Sequence, residues 1–338
     1  MRDLMSIQLS RREALTAGVA AGLAVLMMPA LGACTVDGRP DSITVAGGEP
    51  GGFYLEFATL LAASLQRNGV ARHAAALTTG GSLDNLEHLL SGRATFAVAL
   101  ADAAAQSSAD RSAPSAGISA LGRVYENYVH CVVRKASGIL TIPDLAGRAV
   151  AAGEPGSGTS LTTPRLLEAA GLSSADGYAG STGPGGQAVT VVNLGLNDGL
   201  TALREGSVEA LFWSGGVPTA AIAAAHSDVG LNFLDLSVLL PSLRAKYGAF
   251  YDRVLIPAGA YEGLPAVWTV GVTNLLLCRT DLEDTSVKRT VELLVGHADE
   301  LIPQSSLGVQ FLSPESLINT AGLPLHPAAA DAYRALHG

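Results

Sequence analysis

The sequence predicts an α/β fold with largely parallel sheets. Hydrophobic residues make up 48% of the 338 residues and charged residues only 15%, which excludes a disordered chain and provides for a sizeable core. The length indicates about two lobes of roughly 150 residues each. Short apolar runs of strand length alternate with segments whose apolar residues recur at helical spacing, and glycine-rich loops separate them. This alternation is typical of strand–helix–strand units, whose strands are parallel.

The charge balance and the cysteine count exclude several classes of protein. The chain has 21 Lys and Arg against 30 Asp and Glu, a net charge of -9, so we do not expect a nucleic-acid partner. The three cysteines, Cys34, Cys131 and Cys278, contain no C-x-x-C pair, which excludes a disulfide scaffold and a cysteine-rich zinc module. The seven histidines show no metal-ligand spacing, and we expect no metal and no other cofactor.

The N-terminal segment indicates export. Residues 14–33 carry no charge, are rich in Ala and Gly and follow a pair of arginines, which favours a processed signal over a spanning helix. The SRREAL motif at 10–15 resembles the twin-arginine export signal. The LGAC motif that ends at Cys34 resembles the bacterial lipobox, in which the cysteine becomes the lipidated first residue. The predicted signal is 1–33 and the linker is 34–41; the alternative is a signal anchor that stays attached. Both leave the rest of the chain outside the membrane.

A strand, a glycine-rich loop and a helix recur along the rest of the chain. Strands are predicted over 42–46, 74–78, 95–100, 148–152 and 208–213. The loops that follow them are 47–52, 79–82, 101–102, 153–159 and 214–218. Helices are predicted over 53–66 and 83–90, and from 101 and 219 onward. Because ligands bind beyond the carboxyl ends of parallel strands, these loops are the candidate binding residues.

Loops of this kind can hold an anion without a cationic side chain. The first N–H groups of a helix have no partner within the helix, and the helix dipole is positive there. Glycine allows close approach to the backbone, and Ser or Thr adds a hydroxyl. The alternative for Ser82, Ser157 and Thr159 is that each caps its helix. Capping is the more ordinary role for one loop, whereas five converging loops favour a binding cleft.

Motifs for nucleotide binding and for catalysis are incomplete. The segment 153–160, GEPGSGTS, matches G-x-x-x-x-G-K-[ST] except at the lysine, where Thr159 stands. That lysine meets the β- and γ-phosphates, so nucleotide binding is not expected. No G-x-S-x-G motif surrounds Ser82, Ser157 or Ser214, and no H-E-x-x-H motif occurs. We therefore expect a protein that is not an enzyme.

The order and spacing of these loops resemble the TAXI family, the TRAP-associated extracytoplasmic solute receptors, over nearly the whole mature chain. The motifs that carry the resemblance are GGFY at 51–54, TGGS at 79–82 with Asn85, AD at 101–102, DLAGR at 144–148, GEPGSGT at 153–159, FWSGGVP at 212–218, IPAGAY at 256–261 and LHP at 325–327. The Gly- and Ser-rich stretch 173–188 looks longer than the connection in the family, and we expect a surface loop there.

The resemblance implies a type II periplasmic-binding-protein fold, in which two α/β lobes are joined by crossover strands and close on a ligand. The crossovers are expected near 128–134 and 267–277. Lobe 1 would then comprise 42–130 and 270–338, and lobe 2 would comprise 131–269. Cys131 and Cys278 are expected in buried strands near the hinge, and they can be bonded only if those strands lie side by side.

The resemblance also implies the ligand and the residues that bind it. Family members bind small carboxylates such as glutamate, 2-oxoglutarate or related dicarboxylates and pass them to a TRAP membrane permease. The implied contacts are Gly52, Tyr54, Gly81, Ser82, Asn85, Asp102, Ser157, Gly158, Thr159, Trp213, Ser214, Gly216 and Pro218. The Gly, Ser and Thr residues at 81–82 and 157–159 would donate to carboxylates from opposite lobes, and Tyr54 and Trp213 would form apolar walls.

Some roles stay open at this stage. Asp102 would either accept from a ligand amino group or cap its helix. No arginine clearly anchors a carboxylate; Arg123 and Arg134 are the nearest in sequence. We expect a monomer that is attached to the membrane through Cys34. A ligand sensor or an enzyme on the same two-lobed fold remain the alternatives, because a fold does not fix a function.

Overall fold

The computed structural model describes residues 38–109, 117–177, 188–303 and 312–337. The predicted signal 1–33, the predicted lipidation site Cys34 and most of the linker lie outside these residues, as does much of the stretch 173–188. None of the helices in the described ranges is long and apolar enough to cross a membrane.

The described residues form eleven strands and ten α-helices. The strands are β1 (Ser42–Ala46), β2 (His73–Leu77), β3 (Phe96–Leu100), β4 (Ile118–Arg134), β5 (Ala149–Ala151), β6 (Ser174–Asp176), β7 (Val189–Val192), β8 (Ala210–Gly215), β9 (Leu231–Phe233), β10 (Tyr251–Ile256) and β11 (Val267–Arg279). The helices are α1 (Phe53–Arg67), α2 (Ser82–Leu90), α3 (Ala101–Ala109), α4 (Gly158–Ala169), α5 (Leu196–Glu205), α6 (Ala220–Val229), α7 (Leu240–Tyr247), α8 (Asp284–Gly296), α9 (Pro314–Leu317) and α10 (Pro327–His337). The predicted α/β class is confirmed, and each predicted strand overlaps an observed one.

One mixed sheet connects these strands in the order β2-β1-β3-β11-β4-β8-β5-β7-β6. Strands β1, β2 and β3 are mutually parallel and form a first half; β5, β6, β7 and β8 are parallel and form a second half. The long strands β4 and β11 run antiparallel to each other between the two halves. This is the predicted arrangement of two α/β lobes joined by crossover strands.

Strand β4 belongs to both halves because it changes partner along its length. Its residues up to Tyr128 pair with β11, and those from Tyr128 onward pair with β8. Strand β11 likewise pairs with β10 through its first residues and with β3 through its last ones. The predicted crossovers lie within β4 and β11, although β4 begins ten residues earlier than expected. The lobe boundaries at 130/131 and 269/270 fit these changes of partner and stay a prediction.

The two cysteines of the described chain are free and buried. Strands β4 and β11 do lie side by side, but Cys278 faces Ser119, twelve residues along β4 from Cys131. At about 3.3 Å per residue that separation is roughly 40 Å, far too long for a disulfide. The expectation that Cys278 lies near the hinge is therefore wrong, because it lies at the opposite end of β11.

The stretch 173–188 also differs from the expectation at its start. Residues Ser174–Asp176 form β6, which adds a parallel edge strand beside β7. Edge strands are half-exposed and can be short and polar, so composition alone does not mark them.

Helix periodicity explains how each half is covered. In α1 the fully buried Phe57, Leu61 and Leu65 recur every four residues and face the core of the first half. In α5 the buried Leu196, Leu200 and Leu203 belong to the core cluster of the second half. Burial of each such side chain stabilises the fold by about 1.5 to 3 kcal/mol, which holds the helices against the sheet.

A buried ion pair lies within the crossover strand β4. Glu126 is 3% exposed and accepts a hydrogen bond from Arg123 at 2.5 Å. Thr273 of β11 donates to the same carboxylate oxygen at 3.3 Å. Burial raises the pKa of Glu126 to about 7, although the nearby Arg123 counteracts the shift.

The raised pKa of Glu126 predicts that stability depends on pH. A carboxyl whose pKa is higher in the folded state than in the unfolded state contributes stability at low pH and loses that contribution as the pH rises through its folded pKa. Relative to Glu126→Gln, the wild type should therefore lose about 2 to 3 kcal/mol of unfolding free energy between pH 5 and 8. Denaturant unfolding at both pH values measures this difference. Because the glutamine does not titrate, its own effect on stability is the same at both pH values, and a difference between the two proteins that does not change with pH contradicts the prediction.

Candidate functional site

A cavity of about 380 Å³ lies where loops from the two halves of the sheet meet. Its lining residues are Gly48, Glu49, Gly52, Phe53, Tyr54, Gly80, Gly81, Ser82, Leu100, Asn127, Ser157, Gly158, Thr159, Trp213, Ser214 and Gly215. This volume includes space that is open to solvent, and the part that the centre of a water molecule can reach is about 30 Å³, so a larger ligand requires the two halves to move apart. The cavity lies at the carboxyl ends of β1, β3, β5 and β8, where ligands of α/β proteins bind.

Nine of the thirteen predicted contacts line this cavity. They are Gly52, Tyr54, Gly81, Ser82, Ser157, Gly158, Thr159, Trp213 and Ser214. Gly216 and Pro218 instead line a neighbouring, more open groove of about 850 Å³ beside α1. Asn85 and Asp102 line neither space. The structure thus brings predicted residues from four loops to one cavity. The four remaining predicted residues, Asn85, Asp102, Gly216 and Pro218, lie outside its lining.

Asn85 fastens the loops of the first half to one another. Its side-chain nitrogen donates to the carbonyl of Val98 at 2.7 Å and to that of Gly47, and its oxygen accepts from Thr79 at 2.5 Å. The side chain is fully buried. Asn85 therefore holds the loop after β1 and the loop after β2 in place beneath the cavity.

Asp102 forms a buried ion pair between the two halves. Its Oδ2 accepts from Nη1 of Arg165 and from the hydroxyl of Tyr251, each at 2.9 Å. Its Oδ1 accepts from the N–H of Ala103 at 2.8 Å. Of the capping role that was one of the two expectations for Asp102, this bond to a backbone N–H at the start of α3 is what the described residues show. Because Asp102 begins α3 in the first half and Arg165 lies on α4 in the second, the pair joins the halves behind the cavity. Burial raises the pKa of Asp102, and the guanidinium of Arg165 counteracts that shift.

The hydroxyls of the second half have structural partners and still keep a proton to donate. Ser157 caps α4, since its Oγ accepts from the N–H of Ser160 at 3.0 Å. Thr159 Oγ1 accepts from the N–H of Ser214 at 3.1 Å. The capping alternative is therefore observed for Ser157 and not for Thr159. Because each oxygen accepts from a backbone N–H, its own hydrogen remains available to a group in the cavity.

The floor of the cavity is polar and uncharged. The hydroxyl of Tyr54 donates to Oδ1 of Asn274 and lies 3.3 Å from Oγ of Ser82. Burial raises the pKa of this tyrosine, so it stays neutral. Asn127, from the middle of β4, donates to Ser214 at 3.2 Å. Its Oδ1 is buried and has no hydrogen-bond partner among the described residues.

Asn127 and Glu49 are the lining residues that matter most among those the sequence analysis missed. A signal for Asn127 exists, because an Asn inside a long apolar strand is costly unless its polar atoms find partners. Glu49 lies within the predicted glycine loop 47–52, but the sequence analysis singled out Gly52 of this loop and not Glu49.

A chain of hydrogen bonds fixes the wall formed by Trp213. Its indole nitrogen donates to Thr219 at 3.2 Å, and the N–H of Thr219 donates to the hydroxyl of Tyr261 at 2.9 Å. That hydroxyl also contacts Nε2 of the buried His130 at 2.9 Å. Gly52 of the first half packs against this wall, because a Cβ placed there would lie in van der Waals contact with the Trp213 ring at 3.5 Å.

Two helix starts from opposite halves meet at the cavity. The N–H groups of Leu83 and Asp84 in α2 donate to the carbonyl of Gly156 at 2.9 and 3.1 Å. Gly81 precedes α2 with a φ of 119°, a conformation that favours glycine. At the start of α4, the N–H groups of Gly158 and Thr159 have no acceptor within their own helix. The start of α4 is therefore the better placed of the two to receive an anionic group.

The charges around the cavity are unevenly distributed. Its lining contains no Lys, Arg or His, and Glu49 is the one lining residue that is acidic. Arg123 and Arg134 lie outside it, where they pair with Glu126 and Glu209. Within the described chain no group of three His, Cys, Asp or Glu residues could hold a metal ion.

The fold is a two-lobed α/β fold of the periplasmic-binding-protein type, with a cavity between its two halves. The chain belongs to the NMT1-like family, whose family model matches residues 45–335.

Solved structures resemble this chain at low sequence identity, and those with TM-scores above 0.5 share its fold. XAC2383 from Xanthomonas citri, solved bound to ATP, is 14% identical with a TM-score of 0.52, over 88% of this chain and 95% of that one. A protein from Bordetella bronchiseptica RB50 is 15% identical with a TM-score of 0.51, over 87% and 89%. The periplasmic aliphatic sulphonate binding protein SsuA from Escherichia coli is 15% identical with a TM-score of 0.43, over 88% and 79%. Identities this low show the fold alone.

The buried position of Asp102 predicts a large loss of stability when its charge is removed. Asp102→Asn leaves the guanidinium of Arg165 without its partner in a site where the carboxylate is fully buried. The free energy of unfolding should fall by about 3 kcal/mol or more. Denaturant unfolding of this variant, of Arg165→Gln and of the double variant measures the coupling. The double variant should be more stable than the sum of the single losses implies; strict additivity contradicts the prediction.

Proposed function

We propose that this protein is an extracytoplasmic solute-binding receptor that takes up a small carboxylate, such as glutamate, 2-oxoglutarate or a related dicarboxylate, between its lobes. The observation that supports this most directly is the cavity itself. It is lined by the starts of α2 and α4, which come from opposite halves of the sheet. A ligand that touches both halves favours the closed arrangement, which is how a two-lobed receptor signals occupancy.

The chemistry of the lining favours a carboxylate over a polyphosphate. The N–H groups at the start of α4 and the hydroxyls of Ser157 and Thr159 are donors that suit a singly charged group. Thr159, in the first turn of α4, occupies the place of the phosphate-binding lysine, and none of the described residues that line the cavity is a cation. A nucleoside triphosphate would therefore lack a counter-charge, and the ATP bound by XAC2383 is not part of the proposal.

The sequence supports the finer parts of the proposal. The resemblance to the TAXI receptors assigns the protein to a TRAP transporter, with a TRAP-type permease as its membrane partner and a monomer as the functional unit. The lobes would comprise 42–130 with 270–338, and 131–269. The twin-arginine motif and the LGAC motif place the receptor on the outer face of the cell membrane, anchored through lipid on Cys34.

The lipid anchor has its own test. Metabolic labelling with a radioactive or clickable fatty acid should mark the wild-type protein in its native host, and Cys34→Ser should abolish the label because neither of the other two cysteines follows a lipobox motif. Immunoblotting of the same samples shows that the variant is made. A label that persists in Cys34→Ser contradicts the lipobox assignment.

Ligand binding should raise the melting temperature of the purified full-length chain in detergent. A ligand present at 100 times its dissociation constant stabilises a protein by about 2.7 kcal/mol. We expect such a shift from at least one member of a panel of amino acids, 2-oxo acids and dicarboxylates. If no small carboxylate shifts the melting of the folded protein, the proposed ligand class is wrong.

Two variants of one residue separate binding from capping in that assay. Ser157→Ala and Ser157→Gly both remove the hydroxyl, so both should weaken binding of the active ligand by a similar factor. Ser157→Ala should also lower the unfolding free energy by about 1 kcal/mol, whereas Ser157→Gly should lower it by only a few tenths, since glycine is tolerated at an N-cap. Unchanged affinity in both variants would leave Ser157 as a cap without a ligand contact.

A further inference from the structure

Glu49 is set apart from the other residues that line the cavity. It follows β1 in the loop of the first half, it is half-buried, and the remaining lining residues are uncharged at neutral pH. A charged group inside a cavity has a strong effect on which ligands bind there, because the low dielectric of the surroundings weakens its screening.

The carboxylate of Glu49 is held in place by the second half. Its Oε2 accepts a hydrogen bond of 2.9 Å from the N–H of Leu196, the first residue of α5. A side chain at Gly195 would meet Glu49 Oε2 at 2.7 Å and Glu154 Oε1 at 3.0 Å, so these two oxygens are at most about 6 Å apart. Asp198, in the first turn of α5, adds a third acidic group. One helix start thus faces three carboxylates, and this end of the cavity carries an excess of negative charge.

The titration behaviour of Glu49 agrees with this geometry. Burial raises its pKa, the N–H of Leu196 acts in the opposite direction, and the charges of Glu154 and Asp198 raise the pKa further. Of these causes, the negative charges of Glu154 and Asp198 would also favour a positive charge brought into this region, whereas burial disfavours a charge of either sign.

A second, independent observation points to a ligand with N–H groups. Asn127 is 1% exposed and lines the same cavity, and its Oδ1 has no donor among the described residues. Leaving a buried acceptor unpaired costs free energy, which a donor on a ligand would recover. Glu49 and Asn127 therefore both offer acceptors to the cavity, whereas the start of α4 offers donors.

We propose that Glu49 determines the charge type of the ligand: the cavity selects a carboxylate that also bears an ammonium or other cationic group over a carboxylate of the same skeleton without one. The ligand's carboxylate binds at the start of α4, and its cation is attracted to Glu49. A dicarboxylate without a cation would direct its second negative charge towards Glu49. This inference rests on the proposed function and narrows its ligand class.

Matched pairs of ligands test the inference. Calorimetric titration of the full-length chain in detergent at pH 7.5 compares L-alanine with pyruvate, L-leucine with 4-methyl-2-oxopentanoate, and L-glutamate with 2-oxoglutarate. In each pair that binds, the amino acid should bind about tenfold more tightly or better, because a hydrogen bond between two charged groups is among the stronger ones. Glu49→Gln should reduce that ratio by about tenfold, and Glu49→Asp should retain most of it.

Glu87→Gln provides the matched control. It makes the same substitution at an exposed residue of α2 that pairs with Arg93 and does not line the cavity, so the ratio should change less than about threefold. Melting without ligand checks that Glu49→Gln is folded, and the amide oxygen can still accept from Leu196. A wild-type protein that binds the 2-oxo acid as tightly as the amino acid overturns the inference, as does an unchanged ratio in folded Glu49→Gln. In both cases the proposed function stands. If no carboxylate binds at all, the proposed function fails and the inference fails with it.

Discussion

The pairing of β4 with β11 is the constraint on which the rest of the structure depends. These two antiparallel strands are the longest in the described chain, and each contributes to both halves of the sheet. Their ladder fixes how far apart the loops of the two halves lie and brings Asn127 and Asn274 into the floor of the cavity. Because both halves share these strands, any motion of one half against the other must bend β4 and β11 where their partners change.

The sequence predicted the strand ends well because a glycine loop between an apolar run and a helix is a local signal. That signal singled out Gly81, Ser157 and Thr159, and all three line the cavity. The glycine-loop signal could not find Asn127, because this residue lies inside β4, which was expected to begin only at residue 128. The role of Asp102 was equally hidden, since its partner Arg165 is 63 residues away in the chain and meets it only where the two halves come together. Contacts between distant elements are set by tertiary structure, which local patterns do not encode.

A cavity without arginine or lysine can bind an anion only through several weaker contacts. One helix start contributes about 0.3 to 1 kcal/mol to an adjacent anion, and up to about 2 kcal/mol when the site is partly buried. A hydrogen bond to a charged group adds about 1.5 to 3 kcal/mol. Several such contacts are needed for micromolar binding, which requires about -8.2 kcal/mol. Donors from more than one loop are therefore needed, which agrees with the several glycine-rich loops that meet at this edge of the sheet.

Contacts between the two halves also determine how much free energy a ligand must supply to favour the closed arrangement. The Asp102–Arg165 pair and the hydrogen bonds from α2 to Gly156 join the halves on two sides of the cavity, and Glu49 joins them at a third. When the binding-competent arrangement is only partly populated, the apparent affinity falls by that fraction. Interactions between the halves that need no ligand reduce this penalty. A site built from weak neutral donors benefits most from such contacts, since it has little binding energy to spend on moving the lobes.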